Sequence, residues 1–140
     1  MEKDHGEISS VSSDLPTVSV VMPTFNRRDS LRRVLLALGE QRYPMDAFEV
    51  VVAVDGSRDG TVAMLSTLAT PYRLRFAEQP HSGTASARNL AIGLARGEIL
   101  LSLDDDIVAD ANLIAVHVAC HAQHAKVVAL GQIPLHPEAQ

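Results

Sequence analysis

The chain has 140 residues, 46% hydrophobic and 21% charged, the balance of one ordinary globular domain rather than a disordered polymer. Lys plus Arg total 12 against 17 for Asp plus Glu, a net charge of −5, which argues against a duplex nucleic acid partner. Aromatic content is 4% with no Trp, so a stacking platform for single strands is disfavoured too, and the single cysteine, Cys120, excludes an internal disulfide.

Residues 1–16 are polar and Ser-rich, and read as a flexible leader without a signal sequence. Val18 to Met22 is a short apolar run stopped by Pro23, which predicts a buried strand. Asp29 or Ser30 can cap the helix that follows, and its Leu31, Val34, Leu35 and Leu38 share one helical face. Phe48 to Val54 predicts a second buried strand, Asp55 to Gly60 a turn, and Thr61 to Leu68 a short helix. Tyr72 to Phe76 reads as a third strand near an edge. Ala87, Leu90, Ala91 and Leu94 mark another helical face, starting near Thr84 and closed by Gly97. Glu98 to Leu103 predicts a fourth strand, with a helix from Ala111 to about His124 capped by Asp110. Lys126 to Leu130 reads as a fifth strand, and residues 132–140 as a polar tail.

Strands and helices that alternate, with unbroken apolar strands, imply an α/β fold. It is a Rossmann-like, mostly parallel sheet covered by helices on both faces, over residues 17–131. Ligands of such sheets bind outside the carboxyl ends of the strands. The polar clusters fall there: Pro23 to Arg28, Asp55 to Asp59, and Asp104 to Asp106.

Asp104-Asp105-Asp106 is the sharpest of them. Carboxylates crowded in a cleft favour a hard, oxygen-ligated cation such as magnesium or manganese. An acidic loop splayed into solvent accounts for an isolated triple aspartate equally well. Asp55 can accept ligand hydrogen bonds or simply form a turn. Arg88, near a helix N-terminus, suits an anion, although spacing alone describes a surface arginine. Arg27, Arg28, Arg32 and Arg33 read as a solvated outer helix face, with phosphates or an anionic membrane surface as the alternative. His117 and His121 are spaced for zinc, but no second ligand cluster accompanies them, so they read as a helix flank; His81 sits in a loop that could touch a ligand. No P-loop, dinucleotide fingerprint or nucleophile elbow is present.

Four segments together resemble the family 2 glycosyltransferases: Val20 to Asn26, Val54 to Thr61, Ser86 to Asn89, and Gly97 to Asp106. The resemblance covers about residues 17–131. It implies a GT-A fold and inverting transfer of a sugar from a nucleotide-diphosphate donor. Pro23, Thr24 and Asn26 would lie along the nucleoside, Asp55 at the base, and Arg88 near the base and diphosphate. Asp104 to Asp106 match the D-x-D motif. Asp106 would be the direct metal ligand with Asp104 beside it, and Asp105 would sit near the ribose or metal, the ion being magnesium or manganese. One departure is Val54, where the family often carries a further acid, which leaves Asp55 to supply the base contact.

The resemblance assigns no catalytic residue to this chain. The family's base comes from well beyond the D-x-D; Asp110 is too close to it, and Glu138 lies in the polar tail. The sequence thus reads as a donor-binding half, a truncated product or one half of a split enzyme, with the acceptor unknown. Its sheet edge would be open to a partner chain or a second copy. A non-catalytic nucleotide-sugar-binding module is the alternative. A phosphotransfer or receiver-like domain ranks last, because Lys3 and Lys126 are the only lysines and neither follows a rim strand. No apolar run approaches the ~20 residues of a membrane span, so the expected location is cytoplasmic or peripheral to a membrane.

Overall fold

The computed structural model describes residues 15–132. Apart from residues 15, 16 and 132, the expected leader and polar tail lie outside the described residues, as does Glu138. The elements run β1 (Val18–Thr24), α1 (Arg28–Leu38), a 3-10 turn (Met45–Ala47), β2 (Phe48–Asp55), α2 (Thr61–Thr67), β3 (Arg73–Gln79), α3 (Thr84–Leu94), β4 (Ile99–Ser102) and α4 (Leu113–Gln123). The four strands form one sheet in the order β3-β2-β1-β4, and every pairing is parallel.

Strand periodicity divides the core in two. Val18, Val20 and Met22 of β1 and Phe48, Val50, Val52 and Val54 of β2 point to one face. There they meet Leu31, Val34, Leu35 and Leu38 of α1, Leu65 of α2 and Ile114 of α4. Val21, Val51 and Ala53 point to the other face, against Ala87 and Ala91 of α3. The alanines let α3 approach the sheet closely. Each fully buried Val or Leu adds roughly 1.5–3 kcal/mol, so β1, β2 and α1 dominate stability.

Polar groups pin the amino end of the sheet. Glu49 is buried; it accepts hydrogen bonds from Ser19 Oγ at 2.8 Å and from the Arg96 N–H at 2.9 Å. Arg75 donates to it from Nε at 2.9 Å and from a terminal nitrogen at 3.0 Å. Gly97 passes directly beneath β1: a Cβ there would stand 2.6 Å from Ser19 N and 2.7 Å from the Val18 carbonyl carbon. Only glycine permits that approach.

Several boundaries differ from expectation. β4 is shorter than Glu98 to Leu103, and β3 runs on to Gln79. The segment from Lys126 to Leu130 is not a strand. Lys126 has φ 54°, and Val128 and Leu130 are 88% and 93% exposed, so these apolar residues pair with nothing described. Neither Asp29 nor Ser30 caps α1. The Arg28 N–H donates instead to Asp59 Oδ2 at 2.9 Å, and Ser30 Oγ donates to the Asp105 carbonyl at 2.8 Å. Asp110 Oδ1 accepts from the Asn112 N–H, and α4 begins at Leu113 rather than Ala111. Among the described residues no helix is long and apolar enough to cross a membrane.

Candidate functional site

Because all four strands are parallel, their carboxyl ends share one rim. Thr24 pairs in register with Val54, and the Leu103 N–H donates to the Val21 carbonyl, so the chain leaving β4 runs past the end of β1. The Asp104–Asp106 loop is thereby brought over Thr24. A cavity of about 370 Å³ opens there, lined by Pro23, Thr24, Phe25, Arg27, Asp55, Thr84, Ala87, Asp104, Asp105 and Asp106. A larger hollow of about 620 Å³ lies at the opposite, amino ends of the strands, away from this acidic loop.

The three aspartates face different partners. Asp105 is buried, and Thr24 Oγ1 donates to its Oδ2 at 2.8 Å. Burial pushes its carboxyl above the usual aspartate value, aided by Asp106 and Asp104 and opposed by the Thr24 hydroxyl and Arg27. Asp106 is half-exposed and pairs with Arg27 at 3.1 Å; the same Arg27 nitrogen reaches Asp105 Oδ1 at 3.4 Å. Asp104 pairs with Arg88 at 3.1 Å. The Arg88 Nε–H is buried without a hydrogen-bond partner among the described residues. Both guanidinium groups therefore compensate the acidic loop.

Two loops complete the rim. Asn26 has φ 50°, a left-handed conformation that Asn tolerates better than most residues. Its N–H donates to Ser57 Oγ at 2.9 Å, and its Oδ1 accepts from the Arg58 N–H at 2.8 Å. Asn26 thus clamps the loop after β1 to the loop after β2. Asp55 is buried and surrounded by protein donors: Gln79 Nε2 at 2.8 Å, the Ser82 N–H at 2.8 Å and the Gly83 N–H at 3.0 Å. His81 Nδ1 lies 3.0 Å from its Oδ2. Burial alone would raise the Asp55 carboxyl, but these hydrogen bonds and His81 hold it below its ordinary value. Gly56 keeps this corner open, because at φ +76° a Cβ would fall 2.8 Å from the His81 N–H nitrogen.

The structure thus gathers Pro23, Thr24, Asp55, Asp104, Asp105 and Asp106 on one cavity, with Arg88 held against Asp104. Asn26 stands beside it as a loop clamp. The Asp55 carboxylate, which the sequence left open as a ligand acceptor or a plain turn, is engaged by protein donors. The expected basic face on α1 divides. Arg32 and Arg33 are exposed on the helix, but Arg28 turns to Asp29 and Asp59, and Arg27 turns into the cavity. Phe25, which stacks on His81 with ring centroids 4.1 Å apart, is a rim residue to which the sequence reading gave no role, and Arg27, read there as outer helix face with phosphates as the alternative, lines the cavity. Their position directly beside Asn26 was the available signal.

Among the described residues no three His, Cys, Asp or Glu side chains close around a single ion. The donor set nonetheless suits a hard divalent cation. The carboxylates of Asp104, Asp105 and Asp106 present hard oxygen donors on the wall of one cavity, and the arginines drawn to them show that the loop's negative charge attracts cations.

Residues 19–140 match the sequence model described as Glycosyl transferase family 2. The glycosyltransferase YfnE of Bacillus subtilis is 37% identical over 114 residues, which is 81% of this chain and 29% of YfnE. Among solved structures, residues 1–349 of TarS from S. aureus in complex with UDP-GlcNAc match with a TM-score of 0.72 and 29% identity, over 77% of this chain and 32% of that one. The mannosyltransferase PcManGT of Pyrobaculum calidifontis, in complex with GDP-Man and Mn2+, matches with a TM-score of 0.72 and 31% identity, over 79% of this chain and 34% of that one. The chain spans about a third of the length of each of these three proteins. The parallel sheet with helices on both faces is accordingly of the GT-A type, and the chain belongs to glycosyl transferase family 2.

Proposed function

We propose that this domain binds a nucleoside-diphosphate sugar together with a divalent cation and presents it for inverting transfer to an acceptor hydroxyl. The observation that carries this reading is the single cavity at the carboxyl rim, shared by Asp104, Asp105, Asp106, Thr24 and Asp55. Two relatives of similar fold are described with UDP-GlcNAc and with GDP-Man and Mn2+, which supports the ligand class.

Asp106 and Asp104 would hold the ion, both being half-exposed at the cavity mouth. Asp105, buried under Thr24, sets the position of the loop that carries them. A bound divalent ion supplies Lewis-acid stabilisation of the diphosphate leaving group. The chain's own contribution is placement. Arg88, held against Asp104, brings positive charge to the mouth where a diphosphate gathers negative charge, and such preorganised charge needs no rearrangement during reaction. Phe25, stacked on His81, lines the same cavity, and the clamp through Asn26 ties the loop that carries it to the loop after β2.

A second reading, binding without turnover, is favoured by the state of the carboxylates. Each one lining the cavity is paired with an arginine or with protein donors, and none stands apart from the donor site as a separate base. Calorimetry with UDP and GDP, each with and without Mn2+, tests the donor step. Metal-dependent binding is expected, weakened about tenfold or more, or ~1.4 kcal/mol, in Asp106→Asn. Absence of binding at millimolar nucleotide defeats the reading. Turnover of donor in the presence of acceptors separates transfer from binding alone.

A further inference from the structure

We propose that Arg27 is a displaceable countercation: it occupies the carboxylates of the Asp104–Asp106 loop until a divalent ion enters, and its freed guanidinium then turns to the diphosphate. This rests on the donor-site reading above and adds a residue that couples the two ligands.

The geometry separates this arginine from Arg75. Arg75 grips Glu49 with two different nitrogens on two carboxylate oxygens, at 2.9 and 3.0 Å, in a largely buried pair. That is a bidentate lock. Arg27 instead divides one terminal nitrogen between Asp105 Oδ1 at 3.4 Å and Asp106 Oδ2 at 3.1 Å, and its side chain is 55% exposed. Two long contacts from a single nitrogen make a weak and reversible attachment.

The backbone under Arg27 is fixed while the side chain is not. Its carbonyl accepts the Leu31 N–H at 2.9 Å, and the preceding Asn26 is clamped to the next loop on both its N–H and its Oδ1. Any release of Asp106 is therefore a rotation of side-chain torsions, without movement of α1. The guanidinium and a divalent ion cannot both hold the same oxygens favourably, because the two cations repel. Three aspartates against two arginines leave one net negative charge on the loop, so a dication is still attracted. Arg27 lines the same cavity as the aspartates, so once displaced it faces the space a diphosphate would fill.

The consequence is a linkage. Without nucleotide, Arg27 opposes the metal. With nucleoside diphosphate present, the displaced side chain gains a new partner, so each ligand favours the other.

The test measures Mn2+ binding to the full chain by the loss of the free-ion electron paramagnetic resonance signal, with and without UDP or GDP. Arg27→Gln is compared with wild type, and Arg32→Gln controls for loss of one positive charge. Arg27→Gln should bind Mn2+ about fivefold or more tightly without nucleotide, the lower range of ordinary coupling between sites. That advantage should vanish or reverse when nucleotide is added, and Arg27→Lys should fall between. An Arg27→Gln shift no larger than that of Arg32→Gln, in a chain that does bind Mn2+, overturns the role of Arg27 and leaves the donor site standing. Failure of the wild-type chain to bind Mn2+ with or without nucleotide overturns both.

Discussion

β1 and β2 bury every residue they contain, whereas on β4 only Leu101 is buried and Leu100 stands 48% exposed. The same contrast separates their helices: α1 buries four residues in a continuous stripe, and α4 buries Ile114 alone, with Val116 62% exposed. The cause is neighbourhood. β1 and β2 each have a strand on both sides and helices on both faces, while β4 pairs among the described residues only with β1, and α3 lies across β1, β2 and β3. The acidic loop hangs from the open flank but is tied by side chains to the closed one, through Thr24, Ser30 and Arg27. Stability and chemistry are thus drawn from opposite sides of one sheet, and the rim is the seam between them.

The largest effect should come from exchanging equivalent leucines across that divide. Leu35→Ala empties a fully buried position and should destabilise by about 2–5 kcal/mol in chemical unfolding. Leu100→Ala should stay within about 0.5 kcal/mol. Comparable losses at both positions would mean that the open flank is packed in solution, and the comparison would break.

Next in size is the lock at the amino end of the closed flank. Glu49→Gln removes the carboxylate that Arg75 grips, and should cost about 2 kcal/mol at neutral pH, less than for a fully buried pair. Burial raises the Glu49 carboxyl, but hydrogen bonds from Arg75, the Arg96 N–H and Ser19, with the charge of Arg75, bring it below the ordinary value. A carboxyl held low when folded binds fewer protons than in the unfolded chain. Its stabilisation is therefore full above the ordinary glutamate value of about 4.3 and is lost as pH falls through the lower folded value. The gap between wild type and Glu49→Gln should narrow over that acid range in unfolding curves taken at stepped pH. A gap that persists when the carboxyl is protonated would point to packing instead.

How far the sequence foretold this division follows the physics of each element. The strands of the closed flank announce themselves as unbroken apolar runs, because both faces are covered. Leu31, Val34, Leu35 and Leu38 announce α1 by their spacing. Apolar, β-branched composition also suggested a strand over Lys126 to Leu130, but a strand exists only where a neighbouring edge receives it, and composition does not encode that neighbour. The acidic loop and Thr24 were legible because parallel strands send their ends to one rim. The donors around Asp55 were not: Gln79, Ser82 and Gly83 lie 24 to 28 positions away and meet it only through folding. Arg27 and Arg28 are adjacent and chemically identical, yet one enters the cavity and the other turns to Asp29 and Asp59. What separates them is the left-handed turn at Asn26 and the direction in which α1 begins, neither of which leaves a mark on residue type.

The smallest of these effects bears on the seam itself. Thr24 is buried at the end of β1, and its hydroxyl gives Asp105 a hydrogen bond that crosses from one flank to the other. Thr24→Val keeps the shape and removes the donor, leaving the Asp105 carboxylate with Arg27 at 3.4 Å as its remaining side-chain partner. The expected loss is about 1 kcal/mol. Its distribution matters more than its size. If the loop is an attachment of the open flank, amide hydrogen exchange should quicken at Asp104 to Asp106 while Val50 to Val52 of β2 stay protected to the level of global unfolding. If β2 loosens in step, the hydroxyl is part of the core's own cohesion, and the two flanks behave as a single cooperative unit.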